Sequence, residues 1–249
     1  MDLWAACGLE DVIHPIRGEF WRIVESQEQV ATARLVDNLA EQGLLEELLE
    51  GVKPAPRSGS EHLDYLLMTP FRYPPLRHGS RFGRAYEPSL LYGALAPTTA
   101  LAECAYYRFV FRAGMATPPP GPINTRHTLF RAGYATKQGL QLQQAPCERF
   151  RATLANPAGY GATQALGSAM RTAGVIAFEY PSARDPEGGD NVALFEPAGL
   201  YGRRPRERQE WLCELTAEVV TFLHVPTRKT QVFARAVFEV EGRLPVPAV

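Results

Sequence analysis

From about residue 65 onward, short apolar runs alternate with loops rich in proline and glycine. Runs of this length that are bounded by turn residues are typical of strands. We therefore predict strands at 66–72, 90–94, 127–131, 175–180, 192–196, 216–224 and 230–240. Two segments have helical character: 97–111, with Pro97 in its first turn, and 161–173, followed by Gly174. This mixture of elements predicts an α+β fold class.

The first sixty residues have a different pattern. Ser26-Gln27-Glu28-Gln29 fits a capping box, and leucine and valine residues then recur near helical spacing until Gly51. We predict one or two helices over about 26–50, with acidic residues on much of the opposite face. The proline, glycine and serine residues at 54–60 indicate a linker. The chain is thus predicted to consist of an N-terminal helical extension and linker, 1–60, and a main domain, 61–249.

The charge balance excludes some classes of partner. The 249 residues include 26 basic and 27 acidic residues, so the formal net charge is −1. No overall field attracts nucleic acid or a membrane surface, and we expect no direct nucleic-acid binding and no membrane association. The N-terminus lacks a leader pattern, and no apolar run approaches the roughly 18 residues of a membrane span. We therefore expect a cytoplasmic protein.

The cysteine and histidine residues do not indicate a metal site. The four cysteines are far apart, and the histidines are isolated from one another: Cys7, Cys104, Cys147, Cys213, His14, His62, His78, His127 and His224. Neither the spacing of a zinc site nor that of a disulfide framework is present. We predict reduced thiols and no metal ligands.

Two arginines are candidates for binding an anion. Arg72 ends an apolar run, and Arg81 follows Gly79-Ser80 in a loop. Guanidinium groups offer planar pairs of donors that match phosphate oxygens, so the two could clamp a pyrophosphate. Each could equally form a surface salt bridge. The sequence leaves both interpretations open.

A glutamate and two tyrosines could supply other parts of a nucleotide site. Glu103 lies in the predicted helix 97–111, where its carboxylate could bind a ribose hydroxyl and stabilise positive charge at the anomeric carbon. Alternatively, it could interact only with the helix dipole. Tyr73 and Tyr92 have rings that could stack on a nicotinamide or adenine, or pack in the core. Tyr92 is preferred because small residues follow it.

Ser182 and Asn191 lie at the two ends of a glycine-containing loop. A serine at a strand end could donate to a phosphate or a ribose, and Asn191 could fix the loop or contact a ligand. A serine that caps a turn is the commoner case. No G-x-S-x-G pattern surrounds Ser182, so a hydrolase nucleophile is not predicted.

Four ordered segments together resemble the RES-domain family, which is named for an arginine, a glutamate and a serine. They are FRYPP at 71–75, GSRFG at 79–83, LLYGALAPTTALAE at 90–103 and GVIAFEYPSARDPEGGDNVALFEP at 174–197. The resemblance covers roughly 65–200. The run at 21–54 is also similar to the N-terminal extension of one branch of that family.

The resemblance implies a fold similar to ADP-ribosyltransferase toxins, with a mixed or antiparallel β core and flanking helices. Family members are toxins of bacterial toxin–antitoxin pairs that degrade NAD+ by phosphorolysis or hydrolysis. The implied substrate is therefore NAD+, with inorganic phosphate as co-substrate of a phosphorolysis and no bound cofactor. The implied protein partner is an Xre-type helix-turn-helix antitoxin.

Carried over by position, the family arginines fall on Arg72 and Arg81, the glutamate on Glu103 and the serine on Ser182. Tyr92 matches the aromatic residue before the glutamate helix. The resemblance thus implies that the arginines hold the pyrophosphate, that Tyr92 and Tyr73 stack the nicotinamide, and that Glu103 stabilises the developing cation.

Other functions remain open at this point. A protein ADP-ribosyltransferase would use the same NAD+ site with a macromolecular acceptor. A non-catalytic nucleotide-binding or interaction module would bind through the arginines and use the acidic, apolar helix as a partner surface. The N-terminal extension could also build a homodimer.

Overall fold

The computed structural model describes residues 2–26 and 36–246. The helices are α1 (Leu3–Cys7), α2 (Leu39–Gly51), α3 (Tyr65–Arg72), α4 (Pro97–Ala113), α5 (Arg151–Leu154) and α6 (Gly161–Thr172). The strands are β1 (His14–Glu25), β2 (Leu91–Ala94), β3 (Ile123–Gln141), β4 (Ala177–Pro181), β5 (Asp190–Leu194), β6 (Leu200–Tyr201), β7 (Glu207–Leu215), β8 (Val219–His224) and β9 (Thr230–Ala234). Short 3-10 helices lie at Leu9–Val12, Glu148–Phe150, Pro197–Gly199 and Arg235–Phe238.

The long strand β3 organises the sheet. It pairs antiparallel with β1, β6 and β7, and it pairs parallel with β4. Strand β5 lies between β4 and β2, and β2 meets β1 where Trp21 is opposite Ala94. The strands β1, β2, β5, β4 and β3 therefore pair in a closed ring, from which β7, β8 and β9 extend. The predicted α+β fold class is confirmed.

Apolar side chains cover both faces of this sheet. Leu129 and Phe130 are neighbours on β3, and successive side chains of a strand point to opposite faces. Leu129 packs in a cluster with Leu101 and Tyr106 of α4. Phe130 packs in a second cluster with Leu67 of α3. Helices α3 and α4 are thus held on different faces of the sheet.

The two helices predicted in the main domain and most of the short strands agree with the sequence-based predictions. Helix α4 covers the predicted 97–111, and α6 ends before Gly174, whose φ of 75° is the left-handed conformation predicted there. Strands β2, β4, β5, β8 and β9 lie in or next to their predicted runs, and 127–131 is part of the longer β3.

The predicted strand 66–72 is wrong, because this segment forms helix α3. Asp64 caps the helix, its side chain accepting from the Leu66 N–H at 3.0 Å. Leu67 and Phe71, four residues apart, then face the core together. Periodicity alone does not separate a short apolar strand from a buried helix of this length.

Strands β1, β6 and β7 were not predicted. Strand β1 belongs to the first sixty residues, where the sequence indicated only helices, yet it pairs with β3 from His14–Gly139 to Glu25–His127. Its Phe20 is completely buried, and its Gly18 lies against the Tyr134 side chain, where a Cβ would overlap the ring. The capping box and the first part of the predicted helix extend into 27–35, outside the described residues. The boundary at 60 stays a prediction.

Helix α2 confirms the second part of the predicted 26–50 helix, and most of its side chains, polar and apolar, are exposed. The Asn38 side chain caps it, accepting from the Ala40 and Glu41 N–H groups. Gln42 is buried, and Glu50 accepts from Arg72 Nη1 at 2.6 Å. Its exposed apolar residues are Leu39, Leu44, Leu48 and Leu49, followed by Val52. Leu44, Leu48 and Val52 recur every four residues and so form one stripe, the leucine face.

Candidate active site

Glu103 lies at the centre of a hydrogen-bonded cluster that three elements assemble. Helix α4 begins with Pro97 in its first turn, which suits the proline ring, and places Glu103 in its second turn. Glu103 Oε1 accepts from Ser182 Oγ at 2.6 Å and from Asn191 Nδ2 at 2.7 Å. Both donors are buried, whereas Glu103 is partly exposed. Oε2 has no hydrogen bond to any described residue, so it is free to meet a ligand.

Ser182 has two roles, of which the sequence analysis considered only the capping of a turn. Its Oγ donates to Glu103 and accepts from the N–H groups of Arg184 at 3.1 Å and Asp185 at 3.0 Å. Its own N–H donates to the Gly189 carbonyl at 2.8 Å. The serine therefore caps the turn after β4 and fixes the Glu103 carboxylate with the same oxygen.

The loop between β4 and β5 is also tied to the start of α4. Thr99 Oγ1, which lies one turn before Glu103, donates to Asp185 Oδ2 at 2.6 Å. Gly189 passes so close to this pair that a Cβ would overlap both oxygens. A glycine is required here by close approach.

We expect Gly189→Ala to destabilise the protein by about 1–3 kcal/mol, because the added methyl must push Thr99 away from Asp185. Urea unfolding measures this change. Gly161→Ala is the matched control, since nothing lies within 4 Å of a Cβ built at that position. Equal stability of the two variants would contradict the close packing of this loop.

Tyr92 positions the loop that carries Arg81. The Tyr92 hydroxyl accepts from the Phe82 N–H at 3.0 Å and shares a hydrogen bond with Ser80 Oγ at 2.9 Å. Burial raises the pKa of Tyr92 to about 12, so the hydroxyl stays protonated. Its ring meets Tyr180 edge to face at 6.3 Å. The Tyr92 hydroxyl is thus engaged in hydrogen bonds within the protein. Stacking of the Tyr92 ring on a ligand stays a prediction.

Arg81 lies near Glu103 but pairs with no described carboxylate. Its Nη1 donates to the carbonyl of Asn156 at 2.8 Å and to that of Leu154, the last residue of α5, at 3.3 Å. Burial raises the pKa of Tyr180 well above its usual value, and Glu103 raises it further while Arg81 lowers it. Glu103 and Arg81 thus both lie close enough to the buried Tyr180 to change its pKa.

The structure does not bring Arg72 and Tyr73 to this cluster. Arg72 is buried at the end of α3, where its Nε donates to the Pro54 carbonyl and its Nη1 to Glu50 Oε1. This is the ion pair that the sequence left open. Tyr73 is exposed, and its carbonyl accepts from Ser89 Oγ at 2.6 Å. Their roles in binding a substrate stay predictions.

Three residues near Glu103 were not predicted from the sequence: Tyr106, Tyr160 and Arg184. The Arg184 guanidinium lies over the Tyr106 ring, with Cζ 3.5 Å from the centroid, and it is 4% exposed. Its Nη2 donates to the Pro157 carbonyl at 2.7 Å and to Tyr160 Oη at 3.3 Å. Their positions in the sequence could have indicated two of them. Arg184 follows Ser182 by two residues, and Tyr106 follows Glu103 by one helical turn.

A cavity of about 870 Å³ lies elsewhere. It is bounded by α3 and by strands β1, β3 and β7, and its charged lining includes two ion pairs, Arg208 with Asp64 and Arg126 with Glu210. Its size does not make it the site, because Glu103, Ser182 and Asn191 do not line it. In the described part of the chain, no three His, Cys, Asp or Glu side chains could together hold a metal ion.

A protein-family model described as the RES domain matches residues 54–216, more than half of the sequence. The chain belongs to the RES domain family. This confirms the resemblance predicted from the four segments. The RES domain match contains every predicted site residue: Arg72, Tyr73, Arg81, Tyr92, Glu103, Ser182 and Asn191. Strand β1, which pairs with β3 of the RES domain, lies before the matched segment.

A comparison with solved structures found a chain in the crystal structure of the M. tuberculosis MbcT–MbcA toxin–antitoxin complex. The two chains have 12% sequence identity and a TM-score of 0.48, over 86% of this chain and 92% of that chain. No curated protein sequence matches the chain. None of the helices among residues 2–26 and 36–246 is long and apolar enough to cross a bilayer.

Proposed function

We propose that this RES domain consumes NAD+ by cleaving the bond between nicotinamide and ribose, and that it is the toxin of a toxin–antitoxin pair. Family membership supports the class of reaction. The observation that carries the proposal is the Glu103 carboxylate, which Ser182 and Asn191 fix through Oε1 while Oε2 accepts no hydrogen bond from any described residue. A site built only to bind a dianion would gain nothing from this negative charge.

The reaction needs a positioned negative charge more than a strong base. The bond from the ribose C1″ to nitrogen breaks with its electron pair remaining on the nicotinamide, which leaves as a neutral molecule. Positive charge develops on the ribose, and Glu103 stabilises it from a fixed position. The oxygen of a water molecule or of inorganic phosphate then bonds to C1″, and the proton of the attacking group passes to solvent.

Incubation of the purified protein with NAD+, with and without inorganic phosphate, tests this function. We expect release of nicotinamide, with ADP-ribose as the product of hydrolysis or its 1″-phosphate as the product of phosphorolysis. Chromatography with mass detection separates the two. Intact NAD+ under both conditions would overturn the proposal, and label transferred to protein would instead assign protein ADP-ribosylation.

We also propose that the leucine face of α2 binds the protein partner, an Xre-type antitoxin, through a basic amphipathic helix. The face exposes Leu44, Leu48 and Val52, which are 57%, 60% and 80% exposed. Helix α2 contains four glutamates and no basic residue, so a partner with lysine or arginine beside its apolar residues is complementary in charge. A second copy of α2 would instead bring like charges together.

The double variant Leu44→Glu, Leu48→Glu should stay folded and lose this contact. Both side chains are already exposed, so each change is expected to alter stability by no more than about 0.5 kcal/mol. Titration with a synthetic leucine–lysine amphipathic peptide measures binding, and Leu39→Glu, on the same helix but outside the leucine face, is the control. Unchanged peptide affinity in the double variant, or a dimer of the protein alone that this variant abolishes, would contradict the assignment.

A further inference from the structure

Two arginines converge on one tyrosine beside Glu103. Arg81 lies over the face of Tyr160, with its Cζ 4.6 Å from the ring centroid, and Arg184 donates to the Tyr160 hydroxyl. Main-chain carbonyls at the end of α5 and just after it hold both guanidinium groups. Those of Leu154 and Asn156 hold Arg81, and that of Pro157 holds Arg184. The arrangement keeps two positive charges a short, fixed distance apart.

Neither positive charge is neutralised within the described part of the chain. No carboxylate there forms an ion pair with Arg81 or Arg184, although Glu103 lies nearby. Arg184 is 4% exposed, and its Nη1 is buried without any hydrogen-bond partner. A buried charge with an unused donor is costly unless an acceptor reaches it. The cluster is therefore suited to binding an anion.

The position of Arg184 relative to Glu103 suits one part of a dinucleotide. Its guanidinium stacks on Tyr106, one turn of α4 beyond Glu103, and its main-chain N–H donates to Ser182, which in turn holds Glu103. Residues three apart on a helix have Cβ atoms about 5–6 Å apart. In NAD+ a single ribose separates the bond to be cleaved from the nearer phosphate.

We propose that Arg81 and Arg184, spaced by Tyr160, bind the diphosphate of the substrate. This assigns the second cation of the clamp to Arg184 in place of Arg72, which is engaged by Glu50 and Pro54. Each guanidinium offers paired donors to phosphate oxygens. The inference rests on the proposed function, because it presumes a dinucleotide with its ribose at Glu103.

Calorimetric titration with two ligands tests this subsite. NAD+ carries the diphosphate, whereas nicotinamide riboside does not, and both are measured in the Glu103→Gln background to prevent turnover. We expect Arg184→Met to weaken NAD+ binding by about 10- to 100-fold and to leave nicotinamide riboside binding unchanged. Arg184→Lys keeps the charge without the planar pair of donors, so it should recover part of the affinity and serves if the methionine variant does not fold.

The other outcomes are equally informative. Arg72→Met is the matched variant, and a loss of NAD+ affinity there with none in Arg184→Met would overturn the inference. Equal loss of both ligands in Arg184→Met would assign Arg184 a purely structural role, as would an effect on folding alone. Failure of the background protein to bind NAD+ at all would overturn both this inference and the proposed function. Normal NAD+ binding that Arg184 does not influence would overturn the inference alone.

Discussion

Glu103→Gln is expected to reduce the rate of NAD+ cleavage by about 10²- to 10³-fold while leaving NAD+ affinity nearly unchanged. The glutamine keeps the shape of the side chain, and its amide oxygen can still accept from Ser182 and Asn191. Only the negative charge is removed, and this charge matters most when the ribose becomes cationic. Nicotinamide release at saturating NAD+ measures the rate, and calorimetry measures the affinity.

Glu87→Gln is a matched control for this variant. Glu87 also accepts from a serine hydroxyl, Ser168 Oγ at 2.5 Å, but it lies in the turn before β2 and makes no contact with the Glu103 cluster in the described structure. If the effect at Glu103 is catalytic, Glu87→Gln should leave the turnover rate within about twofold of that of the unmodified protein. A Glu103→Gln enzyme with the normal rate would refute the role assigned to this carboxylate.

Ser182→Ala is expected to have two separable effects. The N–H groups of Arg184 and Asp185 lose their acceptor, so the free energy of unfolding should fall by about 1–3 kcal/mol. The Glu103 carboxylate keeps only Asn191 as a donor, and a less well positioned charge should lower kcat by about 10-fold or more. Thermal unfolding measures the first effect, and nicotinamide release at a temperature where the variant is folded measures the second.

A double-mutant cycle distinguishes a positioning role of Ser182 from general loss of structure. If Ser182 acts through Glu103, Ser182→Ala should cost little further turnover when Glu103 is already glutamine. Ser168→Ala removes a serine that serves Glu87 in the same way and should not change turnover. Fully additive losses in the cycle would show that Ser182 does not act through the carboxylate.

The parts of the fold that the sequence predicted correctly are those defined by local signals. Helix α4 follows Pro97, helix α6 ends before Gly174, and β2, β4 and β5 are apolar runs between turn residues. Strand β1 could not be recognised in this way, because charged residues and a glycine interrupt its apolar residues. Helix α3 has the apolar composition of a strand, and only the packing of Leu67 and Phe71 on one side distinguishes it.

The candidate site was partly predictable for the same reason. The sequence motifs singled out Glu103, Ser182 and Asn191, and the structure joins these three directly. Arg72 lies close to Arg81 along the chain, which favoured a pair, but α3 turns its side chain toward α2. Arg184 was missed because the two residues that its buried guanidinium contacts, Tyr106 and Tyr160, are distant from it in sequence.

Glu103 and its two donors are far apart in sequence, so they are added to the growing chain at different times during synthesis. Ser182 lies 79 residues and Asn191 88 residues after Glu103. At about 5–20 residues per second, a ribosome would need several seconds more to add them after it has added the glutamate. A nascent chain therefore carries the carboxylate without the groups that fix it, and any chain released before residue 191 has been added remains without Asn191. The three residues of this cluster are present together only when about three-quarters of the polypeptide has been synthesised.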